Sequence, residues 1–248
     1  MEHTTRGLIL RDVSYKESDK ILTVFTEDFG KITVSARGAR KPKGKFTASS
    51  QLLVYSELTL SHRQGRYYLQ EGRVLELFNG LRQDVLLLSI GAYFAELLDA
   101  VSDVDVLEQS LLSLGLNALL TLSKGQKNPE LVKAAFELKL MCEAGYTPDV
   151  SSCIVCRGTH LQDPLMNLHA GGIHCKLCST SLQGAKLPLD LGSLSALQHI
   201  IQAENKRIYS FTLGEQGLSY LKRIAEQFVL TQLDRNFKTL DFLKQFTA

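Results

Sequence analysis

Four cysteines arranged as Cys153-Ile-Val-Cys156 and Cys175-Lys-Leu-Cys178, with eighteen residues between the pairs, constrain this chain more than any other feature. A tight turn between the cysteines of each pair brings both sulfurs to one side, and two such turns facing each other complete a tetrahedral thiolate site for Zn²⁺. Four thiolates leave no coordination position for water or substrate, so the spacing predicts one structural ion and no catalytic one. Gly158 follows the first pair and Gly171-Gly172 precedes the second, where knuckle turns need backbone freedom. A pair of disulfides or a redox CxxC are the alternatives. The chain opens Met-Glu-His-Thr-Thr-Arg without an apolar leader, from which a reducing cytoplasm is expected, and disulfides are disfavoured there. His160, His169 and His174 lie inside or beside the module as substitute ligands, but with four cysteines in place they are expected to be surface residues. Cys142, the fifth cysteine, sits in an apolar run and reads as a buried small hydrophobe.

Around this module the chain changes character twice. Residues 7–77 read as strands over 7–13, 21–26, 32–37, 52–62 and 67–77, with hairpin signals at Glu27-Asp-Phe-Gly30 and Arg63-Gln-Gly-Arg66. Alternation at Ile32, Val34 and Ala36, and at Leu58 and Leu60, gives one inward and one solvated face. Five strands of this length suit a small closed barrel, an OB-fold in the first instance and an SH3-like barrel as the alternative. From Leu81 the pattern turns helical, with segments over 86–101, 107–122, 130–144, 194–203 and 218–233. Pro129 suits a helix start, and Leu218, Leu221, Ala225 and Phe228 repeat as a core-facing stripe. The expected class is therefore α+β and multidomain: a barrel over 1–80, a helical domain over 81–150 and 187–248, and the cysteine module inserted over 151–186. With 44% hydrophobic residues in 248 the chain can bury real cores, and no apolar run nears the ~20 residues that span a bilayer, so no membrane partner is expected.

Charge is unevenly spread. The formal net charge is only +2, yet residues 1–82 hold fourteen Lys and Arg against nine Asp and Glu. Much of that surplus stands between the third and fourth strands, in Arg37-Gly-Ala-Arg-Lys-Pro-Lys-Gly-Lys45, five cations in nine residues without an acid. Gly38, Pro42 and Gly44 oppose regular structure, so Arg37, Arg40, Lys41, Lys43 and Lys45 are expected to project from a flexible loop. Nucleic acid phosphate is the natural partner, held by counterion release without reading sequence. Phe46, Tyr55, Tyr67 and Tyr68 lie nearby, and one or two of these rings are expected to face a base. The loop is not a Walker motif: five residues separate its glycines, and Phe46 follows Lys45 where Ser or Thr would ligate magnesium. Asp99, Asp103 and Asp105 are the only candidates for a nuclease metal site, and read better as an acidic helix exit. No catalytic residue is expected. The competing reading is a protein-interaction scaffold without direct DNA binding.

These residues resemble the RecO family of bacterial recombination mediators. The resemblance rests on Gly7-Leu-Ile-Leu, on Ser18-Asp-Lys-Ile-Leu22 with the Phe29-Gly-Lys31 hairpin, and on Gly38-Ala-Arg-Lys-Pro-Lys43. Cys153 with Cys156, and Gly171-Gly-Ile-His-Cys175 with Cys178, complete it in the right order over nearly the full length. It implies an OB-fold binding single- and double-stranded DNA, a helical domain and a zinc knuckle, in a cytoplasmic, nucleoid-associated protein of DNA repair. It further implies strand annealing, help in loading recombinase on DNA coated by single-strand-binding protein, and action with RecR. By position, Arg37, Arg40, Lys41, Lys43 and Lys45 match the family's basic loop, and Cys153, Cys156, Cys175 and Cys178 its metal ligands. In the helical domain Lys133, Phe136 and Lys139 are candidate surface residues for the tail of single-strand-binding protein. Two departures stand out: Arg157 precedes Gly158 where many members place glycine directly after the second cysteine, and Lys238-Thr-Leu-Asp-Phe242 lacks the family's basic ending.

Overall fold

Alternation of apolar and polar side chains draws the N-terminal segment into five strands, in a computed structural model that describes residues 2–42, 44–159, 161 and 163–247. They are β1 (Glu2–Tyr15), β2 (Asp19–Thr26), β3 (Gly30–Ala36), β4 (Tyr55–Arg63) and β5 (Arg66–Glu76). Three helices follow, α1 (Val85–Val101), α2 (Gln109–Lys124) and α3 (Pro129–Glu143). The cysteine segment carries three short strands, β6 (Leu165–Asn167), β7 (Gly172–His174) and β8 (Lys186–Pro188). Helices α4 (Leu191–Gln202), α5 (Glu215–Gln232) and α6 (Lys238–Thr247) complete the chain. Contacts divide it into two compact units, residues 1–124 with 237–248, and residues 125–236. This division follows packing, whereas the boundaries set out above at 80, 150 and 186 follow changes of element type.

In the first unit the strands close into a barrel in the order β1-β2-β3-β5-β4, with β4 pairing back onto β1 and β3 running parallel to β5 through Val34↔Tyr67 and Ser35↔Tyr68. This is the five-stranded Greek-key closure of an OB-like barrel. Its interior holds Ile9, Leu22, Val24, Ile32, Val34, Leu58, Leu60 and Leu69. The fourth strand begins at Tyr55 because Leu53 takes a left-handed turn, its N–H donating to the Ile9 carbonyl at 2.9 Å. Gly30 has φ +64°, and a Cβ there would lie 2.0 Å from the Val106 carbonyl oxygen, so the β2–β3 turn admits only glycine. Asp84 caps α1 by accepting from Leu86 N at 2.7 Å. The α1 face of Tyr93, Phe94, Leu97 and Leu98 is fully buried, and Tyr93 meets Phe237 edge-on at 6.0 Å. Lys31 ties barrel to helix, its ammonium 3.1 Å from Asp99 Oδ1.

Helix α6 is absent from the sequence reading. Glu96 recruits it by accepting from the Thr239 N–H at 3.0 Å, which supplies from another helix the partner an isolated ten-residue helix lacks.

In the second unit α3 lies at the centre, between contacts with α4 and α5. Asn128 caps it and Pro129 occupies its first turn. The helix is buried nearly all round, which corrects the surface placement of Lys133, Phe136 and Lys139: Phe136 is 0% exposed and the two lysines under 10%. The Lys133 ammonium sits 2.8 Å from Glu137 Oε1 and 2.9 Å from Glu226 Oε2, and Lys139 Nζ donates to the Ile201 carbonyl. The expected stripe Leu218, Leu221, Ala225 and Phe228 is the buried face of α5. Among the described residues, no helix is long and apolar enough to cross a membrane.

Candidate nucleic-acid interface and metal centre

The basic loop leaves β3 at Ala36 and is built on a fixed base. Asp19 Oδ1 accepts from the Gly38 N–H at 2.8 Å, and the Arg40 N–H donates to the Ser18 carbonyl at 2.9 Å. Successive turns follow, Lys41 N to Gly38 O, Gly44 N to Lys41 O and Thr47 N to Gly44 O. Ala39 and Phe46 turn inward and join the barrel core at 2% and 4% exposure. The expected flexible excursion is therefore a sequence of turns anchored at both ends by side chains in the barrel, and Phe46 is a core residue instead of a stacking ring.

That anchoring directs the charges outward. Arg37, Arg40, Lys41 and Lys45 are exposed, and none has a carboxylate within ion-pair distance among the described residues. Lys45 is the most committed to its own fold: its ammonium donates to the Gln70 carbonyl at 2.6 Å and lies 4.8 Å from the Phe46 ring centre. Arg37 lies over the Tyr68 ring at 5.1 Å. Lys43 falls outside the described residues. The Gly38 N–H, more than the neighbouring Ser18 hydroxyl and the charges of Lys16 and Arg37, holds the Asp19 carboxyl below its ordinary range. Beside the loop a groove of about 440 Å³ opens, lined in part by Lys16, Asp19, Arg37, Arg66 and Tyr68. Tyr55 instead donates its hydroxyl to Glu27, and Tyr67 packs against Phe29 and His62.

The cysteines converge in the second unit. Strands β7, β6 and β8 form a small antiparallel sheet in that order. Asn167 Oδ1 accepts from His169 N and Ala170 N and so bends β6 into β7, which delivers Cys175 at its end. The first knuckle is tied to that strand, Ile154 N donating to Ile173 O at 2.9 Å, and closes on itself with Cys153 N to Gly158 O and Arg157 N to Cys153 O. Gly172 is required here, since a Cβ would meet Ile154 Cγ2 at 2.6 Å.

The four Sγ atoms of Cys153, Cys156, Cys175 and Cys178 lie within 4.8 Å of one another, with Cys156 and Cys175 at 3.9 Å. Sulfurs about 2.3 Å from a tetrahedral Zn²⁺ stand about 3.8 Å apart, so the donor set has the size of such a site. All five cysteines are free thiols, which sets aside the disulfide alternative for this conformation. Burial works against a thiolate at Cys153, but backbone N–H groups of Cys156, Cys175 and Val155 outweigh it and hold that thiol at about 6. Cys178 is pushed up to about 12, chiefly by its hydrogen bond with Cys175. Four cysteine sulfurs gathered at this spacing are an arrangement that a cation completes.

Other expectations resolve around this cluster. His169 is exposed as expected, and His160 falls outside the described residues. His174 is fully buried, correcting its surface assignment, with Nδ1 3.1 Å from the Cys175 carbonyl. Cys142 is half-buried on α3, its thiol raised by burial. Asp99, Asp103 and Asp105 do not gather: the cysteines are the only group of three or more candidate metal ligands that comes together among the described residues.

A barrel with a basic loop and a four-cysteine knuckle within a helical unit is the combination on which the resemblance was drawn. Residues 1–78 match the family model described as Recombination protein O N terminal, and residues 82–241 that of Recombination protein O C terminal. The chain belongs to the RecO family of DNA repair proteins. A relative named DNA repair protein RecO from Acetivibrio thermocellus is 34% identical over 243 residues, 97% of this chain and 95% of its own. One of the same name from Caldicellulosiruptor bescii is 28% identical over 97% of each chain. Another from Listeria monocytogenes is 33% identical over 69% of this chain and 67% of its own.

Within this RecO chain, sequence reading missed Tyr15, Lys16, Asp19 and Arg66 around the groove. Tyr15, Lys16 and Asp19 flank the β1–β2 turn and Arg66 the β4–β5 turn, and neither group forms a charge run of its own. The signal that finds them is topological: in an OB-like barrel the β1–β2 and β4–β5 turns approach the face of the second and third strands, so charges in those turns add to a basic loop there.

Proposed function

We propose that this protein is a non-enzymatic DNA-binding recombination mediator. Arg37, Arg40, Lys41, Lys43 and Lys45 grip phosphates of single- and double-stranded DNA, and the observation that supports this is the exposure of Arg37, Arg40, Lys41 and Lys45, without a carboxylate in ion-pair distance among the described residues, on a braced base. Screening by such contacts lowers the repulsion between complementary strands and lets them pair, so annealing needs no catalytic group. Helping recombinase onto DNA coated by single-strand-binding protein, together with RecR, follows from family membership, as does a cytoplasmic place at the nucleoid.

Cys153, Cys156, Cys175 and Cys178 hold one structural Zn²⁺. Four thiolates close its coordination sphere, so its contribution is to cross-link the first knuckle and the β7 end.

The test of the DNA-binding reading is the triple variant Arg40→Ala, Lys41→Ala, Lys43→Ala. Affinity for single-stranded DNA falls and the slope of log affinity against log salt shrinks by about 2, at about 0.7 per lost phosphate contact. Unchanged affinity and slope would remove the loop from the interface. Absence of saturable binding by the parent protein at low salt would favour the scaffold reading.

A further inference from the structure

A segment that only connects two helices is ordinarily polar, because its side chains face water. The connection from α1 to α2 departs from that rule. It reads Ser102-Asp-Val-Asp-Val-Leu-Glu108, and its three large apolar side chains point outward: Val104 is 66%, Val106 45% and Leu107 57% exposed. The backbone beneath them is fixed. Val104 bridges to Lys31, the Asp105 N–H donates to the Lys31 carbonyl at 3.2 Å, the Val106 carbonyl packs against Gly30, and the Asp103 N–H donates to Glu108 Oε2 at 3.2 Å. An apolar patch held out to solvent on a braced backbone has the character of a docking surface, since little ordering remains to oppose binding.

The rim of this patch is acidic. Asp28, Asp103 and Asp105 are exposed and Glu108 half-buried, and none has a Lys or Arg within ion-pair distance among the described residues. Lys31, the cation at this end of the β2–β3 hairpin, is held by Asp99. An apolar centre inside a charged rim is the anatomy of a protein interface, and the sign of the rim selects a cationic partner. The same unit carries such a surface at the other end of the hairpin. Thr26↔Gly30 closes the hairpin at the acidic loop, whereas Lys20↔Ala36 opens it at the basic one. There Lys16, Arg37, Arg40, Lys41 and Arg66 are exposed around Val13 and Tyr15, themselves 42% and 49% exposed. Against them stand Glu17 and Asp19, the latter engaged by the Gly38 N–H. The seven residues of β3 separate the two ends by about 20 Å at about 3.3 Å per residue, well beyond the about 8 Å over which exposed charges act in physiological salt. Neither end neutralises the other within one chain, so each is available to another molecule.

We infer that the α1–α2 loop of one molecule docks on the basic end of the barrel of a second copy, giving a weak head-to-tail association that a polyanion reverses. Because the two surfaces differ, the contact is heterologous, and every pair keeps one free acidic patch and one free basic end. The basic end is the surface read above as holding phosphates, so DNA and a second copy compete for it. Association itself needs only the opposed charges and apolar centres, and it stands whether or not the loop binds DNA.

The experiment follows sedimentation of the full chain in about 0.1 M and about 1 M salt, between which the Debye length falls from about 10 to about 3 Å. The mass-average size of the parent protein is expected to rise with its concentration at the lower salt, and the association to weaken by about tenfold or more at the higher. Asp103→Lys with Asp105→Asn, which keeps the basic end, is monomeric, and so is Arg40→Glu with Lys41→Glu, which keeps the acidic patch. An equimolar mixture of the two variants associates again and stops at two chains, because one intact patch and one intact basic end remain between them; misfolded variants would not restore it. A parent protein that is monomeric at both salts would overturn the inference, as would a mixture that stays monomeric while both variants keep the parent's circular dichroism. Capture of an oligolysine peptide by a monomeric parent would give the patch to a basic partner protein instead of a second copy. A short oligonucleotide is expected to return the associated parent to single chains bound to DNA. Persistence of the association with DNA bound would overturn the basic end as the docking partner, whereas association without any DNA binding would overturn the loop reading and leave this contact standing.

Discussion

Asp19 shows how one carboxylate organises the base of a cation-rich loop. It lies where β2 begins, accepts from Gly38 N, and so fixes the first turn of the basic loop against the turn that carries Lys16. A carboxylate with a hydrogen bond to its charged form titrates below its ordinary value of 3.8, and its contribution has a definite sign. The loop anchorage is fully present above 3.8 and is lost as pH falls through the lowered native value. The Gly38 amide resonance is therefore expected to titrate with a midpoint below 3.8, and a midpoint at or above it would contradict the anchor. Asp19→Ala should weaken DNA binding several-fold while preserving its salt dependence, since the cations persist but are no longer held in one arrangement. Arg157 is a contrasting single-residue feature. It takes φ 60° in the first knuckle, a left-handed position that glycine would fill at less cost.

At the scale of elements, the proposed zinc would hold the knuckle more firmly than its small sheet does. Strands β6, β7 and β8 have three residues each, too little to stand alone, and the first knuckle joins them through a few backbone hydrogen bonds. Cys153→Ser with Cys175→Ser is expected to abolish zinc binding, measured as one equivalent per chain in the parent, and to unfold the segment from Ser151 to Pro188. Structural zinc contributes about 10–16 kcal/mol of apparent binding free energy, comparable to a whole domain's stability, so the loss should be visible as an early thermal transition. A variant with full metal and an unchanged unfolding curve would refute the assignment. This element was legible in sequence because CxxC spacing is local. The five barrel strands and the helices through α5 were legible too, from two-residue alternation, from Pro129 at the start of α3 and from the buried stripe of α5. What escaped were features decided by distant partners. Phe46 reads as a ring beside a basic run, but the barrel core takes it in. Lys133 and Lys139 read as helix surface, but Glu137, Glu226 and the Ile201 carbonyl receive them inside. The groove assembles from turns some fifty residues apart in sequence, Lys16 in one and Arg66 in the other, and neither is informative until the barrel closes.

For the molecule as a whole, the order of elements along the chain differs from the order in which they pack. The first unit is discontinuous: the chain leaves it after Lys124 and returns at Phe237, so α6 completes a fold begun at the N-terminus. That return is substantial, because Phe237, Leu240 and Leu243 are each 3% exposed or less and Tyr93 packs edge-on against Phe237. Ending the chain after Asn236 should therefore damage the barrel-bearing unit, although the deletion is far from it in sequence. Burying each of three large apolar side chains contributes about 1.5–3 kcal/mol, an upper estimate because the unfolded chain is itself partly collapsed. Added together they are comparable to the about 5–15 kcal/mol that holds a typical domain folded. Amide exchange is the measurement that separates the units: in the truncated chain, protection should fall in α1 and in the strands packed on it, while α3 and α5 keep theirs. DNA binding should weaken with it. The opposite pattern, intact protection in α1 with loss in α3, would mean that α6 serves the second unit and that the partition is wrong. With the partition right, the C-terminal helix matters to the barrel-bearing unit through packing, a role carried by Phe237, Leu240 and Leu243.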